Sequence, residues 1–177
     1  MEVGSPSDSR KIVVHPIGVI HTPFTDEAVK TALTGVEGSI EVYHGFREGV
    51  KALEGFSHII VVAFLNRVSP TQRHVLRVRY RRLLRFGLRL TDLPEVGVFS
   101  SDSPHRPNPI AISIVTLVRR ADRVLHVTGL DLFNGTPVLD LKPYTPDRAM
   151  AGVKVPEWYR ALERQVAENT GIKRPRL

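Results

Sequence analysis

The side chains best suited to chemistry crowd into one short stretch: Ser100, Ser101, Asp102, Ser103, His105, Arg106 and Asn108. Pro107 and Pro109 run through it. Each fixes its own φ and lacks an N–H, and each pushes the residue before it, Arg106 or Asn108, away from helix. The spacing predicts a stiff, extended loop that carries Arg106 and Asn108 at alternate positions. A strand enters it at Val96–Phe99 and another leaves it at Ile110–Val118. A stiff polar loop between apolar strands can present a rigid site. A proline-rich turn with solvated charges is the plainer reading. Ser, His and Asp this close in sequence do not suggest a hydrolytic triad, because one short loop gives poor triad geometry.

Other chemistries find no support. There is no cysteine, which excludes disulfides and thiol catalysis and fits a cytoplasmic setting. Neither G-x-G-x-x-G nor G-x-x-x-x-G-K-[ST] occurs, nor does H-E-x-x-H. The histidines, at 15, 21, 44, 58, 74, 105 and 126, lack ligand spacing, so no metal is expected. No apolar run is long enough to span a membrane, so no membrane association is expected. Residues 1–11 are polar without an apolar centre and are expected to form a flexible leader.

The elements that must position the loop are mostly strands. Ile12 to Phe24 reads as a strand across Pro16, and 38–42 as a short one. Residues 26–33 read as loop or one helical turn. His44 to Leu53 has helical spacing, with Gly55 placed as its stop. Phe56 to Leu65 is a continuous apolar run, expected to be buried on both faces. Ile110–Val118 and Val124–Leu130 form a hairpin around 119–122. A second polar loop at 131–136, with Asn134-Gly135, precedes a strand at 138–141. Trp158, Leu162 and Val166 recur at helical spacing behind Pro156, and Gly171 ends that helix before a basic tail at 173–177. Short turns between strands predict a mainly β fold, a β-barrel or strongly curved sheet with peripheral helices and a helix at the C-terminus. The division expected is leader 1–11, barrel 12–150, and helix with basic tail 151–177. The two polar loops are expected at one end of the sheet.

The chain carries a net charge of +7 over 177 residues. A basic balance suits a polyanionic partner. Arg77, Arg79 and Arg81 alternate with Val78 and Tyr80, so period two predicts one strand face bearing three guanidinium groups. Such a row fits phosphate contacts with base stacking on Tyr80. A charged edge strand that resists aggregation reads the same way.

Several motifs together resemble one family. Gly97-Val98-Phe99 with Arg106-Pro107-Asn108-Pro109-Ile110, and Asn134-Gly135-Thr136-Pro137-Val138-Leu139-Asp140-Leu141-Lys142-Pro143-Tyr144, are similar to the signature of the TsaA-like (YaeB, TrmO) family. Ile17 to Phe24 and Leu53 to Ile59 follow the same pattern, so the likeness covers about residues 17–145 in order. The resemblance implies a single-sheet β-barrel methyltransferase that uses S-adenosylmethionine. It implies a homodimer with the cofactor near the subunit interface. Its substrate would be tRNA, at N6 of threonylcarbamoyladenosine 37.

By position, the family's cofactor contacts would fall on Leu65, Asn66, Asp102, Ile112, Asp131, Leu132, Phe133 and Asn134. Arg106 and Asn108 belong to the loop signature. Arg77, Arg79 and Arg81 would grip tRNA. Asp131, Asn134 and Asp140 are candidates to accept the proton of the methylated nitrogen. The chain departs from the family pattern where Asp102 stands for a usual arginine, Asn66 for a histidine and Ala111 for a glycine, and the family's Pro-Arg-Gln has no clear match around 28–34. A non-catalytic barrel that binds RNA or a small ligand is the alternative those departures leave.

Overall fold

A computed structural model describes residues 12–173, 175 and 177. The leader expected at 1–11 lies outside the described residues. The strands are β1 (Gly18–His21), β2 (Val36–Val42), β3 (His58–Phe64), β4 (Arg77–Val78), β5 (Val96–Gly97), β6 (Ile110–Ala121), β7 (Val124–Leu130) and β8 (Pro137–Pro143). Six of them close a barrel in the order β1-β2-β7-β6-β3-β8, and β4 pairs only with β5. Every pairing is antiparallel. Closure leaves the barrel no free edge.

The barrel interior holds Ile20, Ile40, Ile59, Val61, Val115, Leu125, Val127 and Val138. These positions alternate along their strands, as the pleat requires. The run in β3 therefore differs from expectation. Ile59, Val61 and Ala63 are fully buried, while Ile60, Val62 and Phe64 are half-buried on an outer wall that is only partly covered. β6 and β7 lose register between Leu117 and Arg119, a bulge that lets the long β6 bend around the barrel. The hairpin turn is correspondingly tighter than expected, with Asp122 at φ 54°.

Other expectations shift at their ends. Residues 12–17 are not strand, and β1 begins beyond Pro16. Helix α1 (Asp26–Thr31) resolves the ambiguous stretch, because Thr25 Oγ1 accepts from Ala28 N–H at 3.2 Å and two acidic residues fill the first turn. The segment at His44–Val50 is a 3-10 helix that stops before Leu53. Helix α2 (Glu157–Thr170) has Pro156 as its N-cap residue and Gly171 at φ 74° behind it.

A second core lies apart from the barrel. Leu33, Leu83, Leu88 and Leu93 pack with Leu162 and Val166 of α2, and Tyr80, Phe86, Trp158, Ile172 and Leu177 line its rim. Leu177 is thereby packed, where a frayed tail was expected.

Two outcomes test this architecture. Leu125→Ala removes a fully buried side chain and should cost about 2–5 kcal/mol, read as a lower urea midpoint. Glu41 is held below its usual carboxylate range by the hydrogen bond from Arg123, then by that from His21. A lowered folded pKa stabilises above the unfolded value and is lost as pH falls through the folded one. The stability gap between wild type and Glu41→Gln should therefore shrink as pH drops below about 4.5, followed by urea unfolding at stepped pH.

Candidate active site

Antiparallel order decides which loops meet. β3 and β7 run toward one end of the barrel, and β6 and β8 start from it. Leu65 N–H donates to Pro109 O at 2.8 Å, joining the exit of β3 to the end of the central loop. Arg67 Nη2 donates to Asn134 O at 2.9 Å, joining the same exit to the second loop. The two polar loops share one end, as the sequence suggests.

Arg106 answers for the stiffness of the central loop. Its Nη2 donates to Val98 O at 2.9 Å and Ser101 O at 2.6 Å, and its Nε is buried without a partner. One guanidinium thus holds the first carbonyl of the 3-10 turn Val98–Ser100 together with the carbonyl of the residue that follows it, and fixes the loop from inside. Asn108 is exposed at the foot of β6.

In the second loop, Asp131 lies across from Ser113 when the Thr116↔Thr128 register is continued, and Ser113 Oγ donates to its carboxylate. Leu132 is buried in the barrel core, so its backbone is what it offers a ligand. Phe133 is half-buried, with Arg67 and Lys30 each 5.4 Å from its ring centre. Asn134 Oδ1 accepts from Thr22 N–H at 3.2 Å and ties the loop to β1. Asp140 sits mid-strand on β8 and pairs with Lys142 at 2.6 Å, away from the loops.

Leu65 is half-buried and Asn66 exposed at the β3 exit. Ile112 stands 72 % exposed on the outer face of β6. Asp102 is exposed on the side of the central loop toward α2; burial first of all raises the Tyr80 and Tyr159 phenols, and the nearby Asp102 charge adds a smaller push to both. The structure therefore gathers Leu65, Asn66, Asp131, Phe133 and Asn134 at the barrel end, with Ile112 on the outer wall and Asp102 turned to the second core.

The arginine row is corrected. β4 spans only Arg77–Val78, and Arg81 opens the 3-10 helix Arg81–Phe86, so the three do not share a strand face. Arg77 reaches Glu95 at 3.6 Å, and Arg79 Nη1 donates to Leu93 O at 2.7 Å. Other cations stand at the barrel end. Arg67 pairs with Asp26 of α1, and Arg73 lies 5.5 Å from the Phe64 ring. Arg73 also lines an open depression of about 370 Å³ with Pro70, His74, Leu76 and Pro107. The sequence signal for Arg67 was its place at the strand exit; Lys30 had none while α1 was ambiguous.

Comparison with known proteins adds the lineage. A probable S-adenosyl-L-methionine-binding protein of Pyrococcus abyssi is 38% identical over 140 residues, covering 77% of this chain and 70% of that one. A tRNA (adenine(37)-N6)-methyltransferase of Rattus norvegicus is 31% identical over 106 residues, 60% of this chain but 22% of its own length. The solved structure of TrmO from Pseudomonas aeruginosa superposes with a TM-score of 0.60 at 29% identity, covering 81% of this chain and 61% of that one. The model of the tRNA-methyltransferase O N-terminal domain matches residues 19–149, and the chain belongs to that family.

Proposed function

We propose that this chain transfers a methyl group from S-adenosylmethionine to N6 of threonylcarbamoyladenosine 37 in tRNA. Family membership carries the coarse reading, an S-adenosylmethionine-dependent tRNA methyltransferase. The finer choice of nucleoside rests on the ordered motifs. The observation that supports the site is the meeting of Leu65–Arg67, the foot of β6 and residues 131–134 at one barrel end.

The side chains there suit the cofactor. Leu65, Phe133 and Ile112 offer apolar surface for an adenine ring, Asp131 offers a carboxylate, and Arg67 and Lys30 offer positive charge for a carboxylate. Positive charge from Arg67 and Lys30 would serve where the family pattern uses arginine in place of Asp102. When bound, the cofactor supplies an electrophilic methyl on a sulfonium. Its transfer to N6 would leave a neutral thioether and require N6 to give up one proton, which a protein group would accept. Of the candidate acceptors, Asp140 sits mid-strand away from the loops and Asn134 carries a neutral amide, so the role goes to Asp131, a carboxylate at the barrel end that Ser113 Oγ holds in place.

The reading includes a homodimer. The outer face of β6 exposes Ile110, Ile112, Ile114 and Val118 in a line, an apolar stripe that a second copy would cover. Ile112 belongs to both stripe and cofactor set, which sets the site beside the interface. A cytoplasmic location goes with a tRNA substrate, and among the described residues no helix is long and apolar enough to cross a membrane. Arg77 and Arg81, both exposed, serve tRNA phosphates, with Arg79 partly committed to Leu93. Asp102 favours a second reading, a non-catalytic RNA- or small-ligand-binding barrel, because a carboxylate in the central loop repels the cofactor's own.

Incubation with S-adenosylmethionine and tRNA, followed by mass analysis of nucleosides, tests the choice. One methyl should appear on threonylcarbamoyladenosine, and none on tRNA lacking that modification; methylation of the unmodified adenosine would overturn the substrate. Asp131→Asn should lower kcat by about 10²–10⁴-fold. Ile112→Asp should convert a dimer to monomer in sedimentation velocity, and a wild-type monomer would remove the interface. Replacing Arg77 and Arg81 by alanine should weaken tRNA binding and reduce its log–log salt slope by about 1 to 2.

A further inference from the structure

The matched family segment ends at residue 149, and α2 lies beyond it. Yet α2 supplies Leu162 and Val166 to the second core, whose other members come from α1's end and the irregular stretch 83–93. At the rim of that core stands an aromatic cluster. Tyr80 lies 5.9 Å from Trp158 and 6.5 Å from Tyr159, and the latter two rings are 5.6 Å apart. The Tyr80 hydroxyl donates to Ser100 O at 2.8 Å. Ser100 lies between Val98 and Ser101, whose carbonyls Arg106 holds. The central loop is thus pinned twice, from inside by a guanidinium and from outside by a phenol.

We infer that Tyr80, braced by Trp158 and Tyr159 of α2, is a positioning residue for the central loop and so sets the loop's affinity for S-adenosylmethionine. The inference rests on the proposed function, because the central loop runs into Pro109, whose carbonyl accepts from Leu65 N–H at the cofactor end of the barrel. Tilted packing against Trp158 and edge-on packing against Tyr159 fix the Tyr80 side chain before any ligand binds. A prepaid rotamer lowers the cost of ordering the loop on binding. Burial, then Tyr159 and Asp102, push the Tyr80 phenol up to about 12, so it remains a donor throughout the physiological range. The second core is then a prop for the site, tied to it through one side chain.

Trp158 is the only tryptophan of the chain, so its emission reports on this cluster directly. Tyr80→Phe keeps the ring and removes the hydroxyl. Titration of the full chain with S-adenosylmethionine, followed by Trp158 emission, should give a dissociation constant about five- to tenfold weaker in the variant, the effect of losing one net hydrogen bond. KM for the cofactor should rise by the same factor while kcat stays within about twofold. Backbone amides of residues 98–106 should exchange with deuterium several-fold faster in Tyr80→Phe with no ligand present, and barrel amides should not. Equal affinity and equal loop exchange in the two proteins would overturn the inference. If the wild type binds no S-adenosylmethionine, the functional reading falls, and the exchange comparison by itself decides whether Tyr80 positions the loop.

Discussion

Closure of the barrel through β8 is the constraint on which the rest depends. β8 pairs with β3 at several positions, from Ile59↔Pro143 to Ala63↔Val138, but with β1 at only Gly18↔Val138 and Val19↔Pro137. That short seam joins the first strand to the last. It also seats residues 131–136 against β1, since Gly135 N–H donates to Ile20 O and Ile20 N–H to Thr136 O, and Arg67 ties the same loop to the exit of β3 through Asn134 O. Once β8 sits between β1 and β3, the antiparallel order leaves the second loop and the foot of β6 no other place than the same barrel end. The site is a consequence of topology before it is a set of side chains.

Arginines hold what the topology brings together. Arg67, Arg79, Arg82, Arg106 and Arg123 each donate to a backbone carbonyl, at Asn134, Leu93, Ala32, Val98 with Ser101, and Val42 respectively. Irregular backbone leaves carbonyls without ladder partners, and a planar multi-donor cation satisfies them at a distance. Much of the chain's basic character is therefore structural. These guanidinium groups keep their charge, but donors committed to backbone are not free to grip phosphate.

This explains what could be read from the sequence and what could not. Period-two alternation and turn residues fixed β2, β6, β7 and β8 to within a few residues, and apolar spacing located α2. The stretch 71–100 resisted because its elements are 3-10 turns and two-residue strands, too short to show a period. There the Arg77-Arg79-Arg81 alternation imitated a strand, although Arg79 is aimed at Leu93 O and Arg81 begins a helix. Leu132 looked like a loop residue because nothing local reveals that it turns into the barrel core. The motifs around 97–110 and 131–144 were legible as a family pattern, whereas the grip of Arg106 on two carbonyls and of Tyr80 on a third depends on contacts distant in sequence.

Everything proposed for the site requires that this barrel end, with Asp102 in the adjoining loop, bind S-adenosylmethionine. Calorimetric titration of the chain with S-adenosylmethionine and with its demethylated product tests it most directly. Saturable binding of both, near one site per chain, is the expected result. No heat of binding at millimolar cofactor, with tRNA present, would contradict it and leave a barrel that keeps the family's fold without its chemistry.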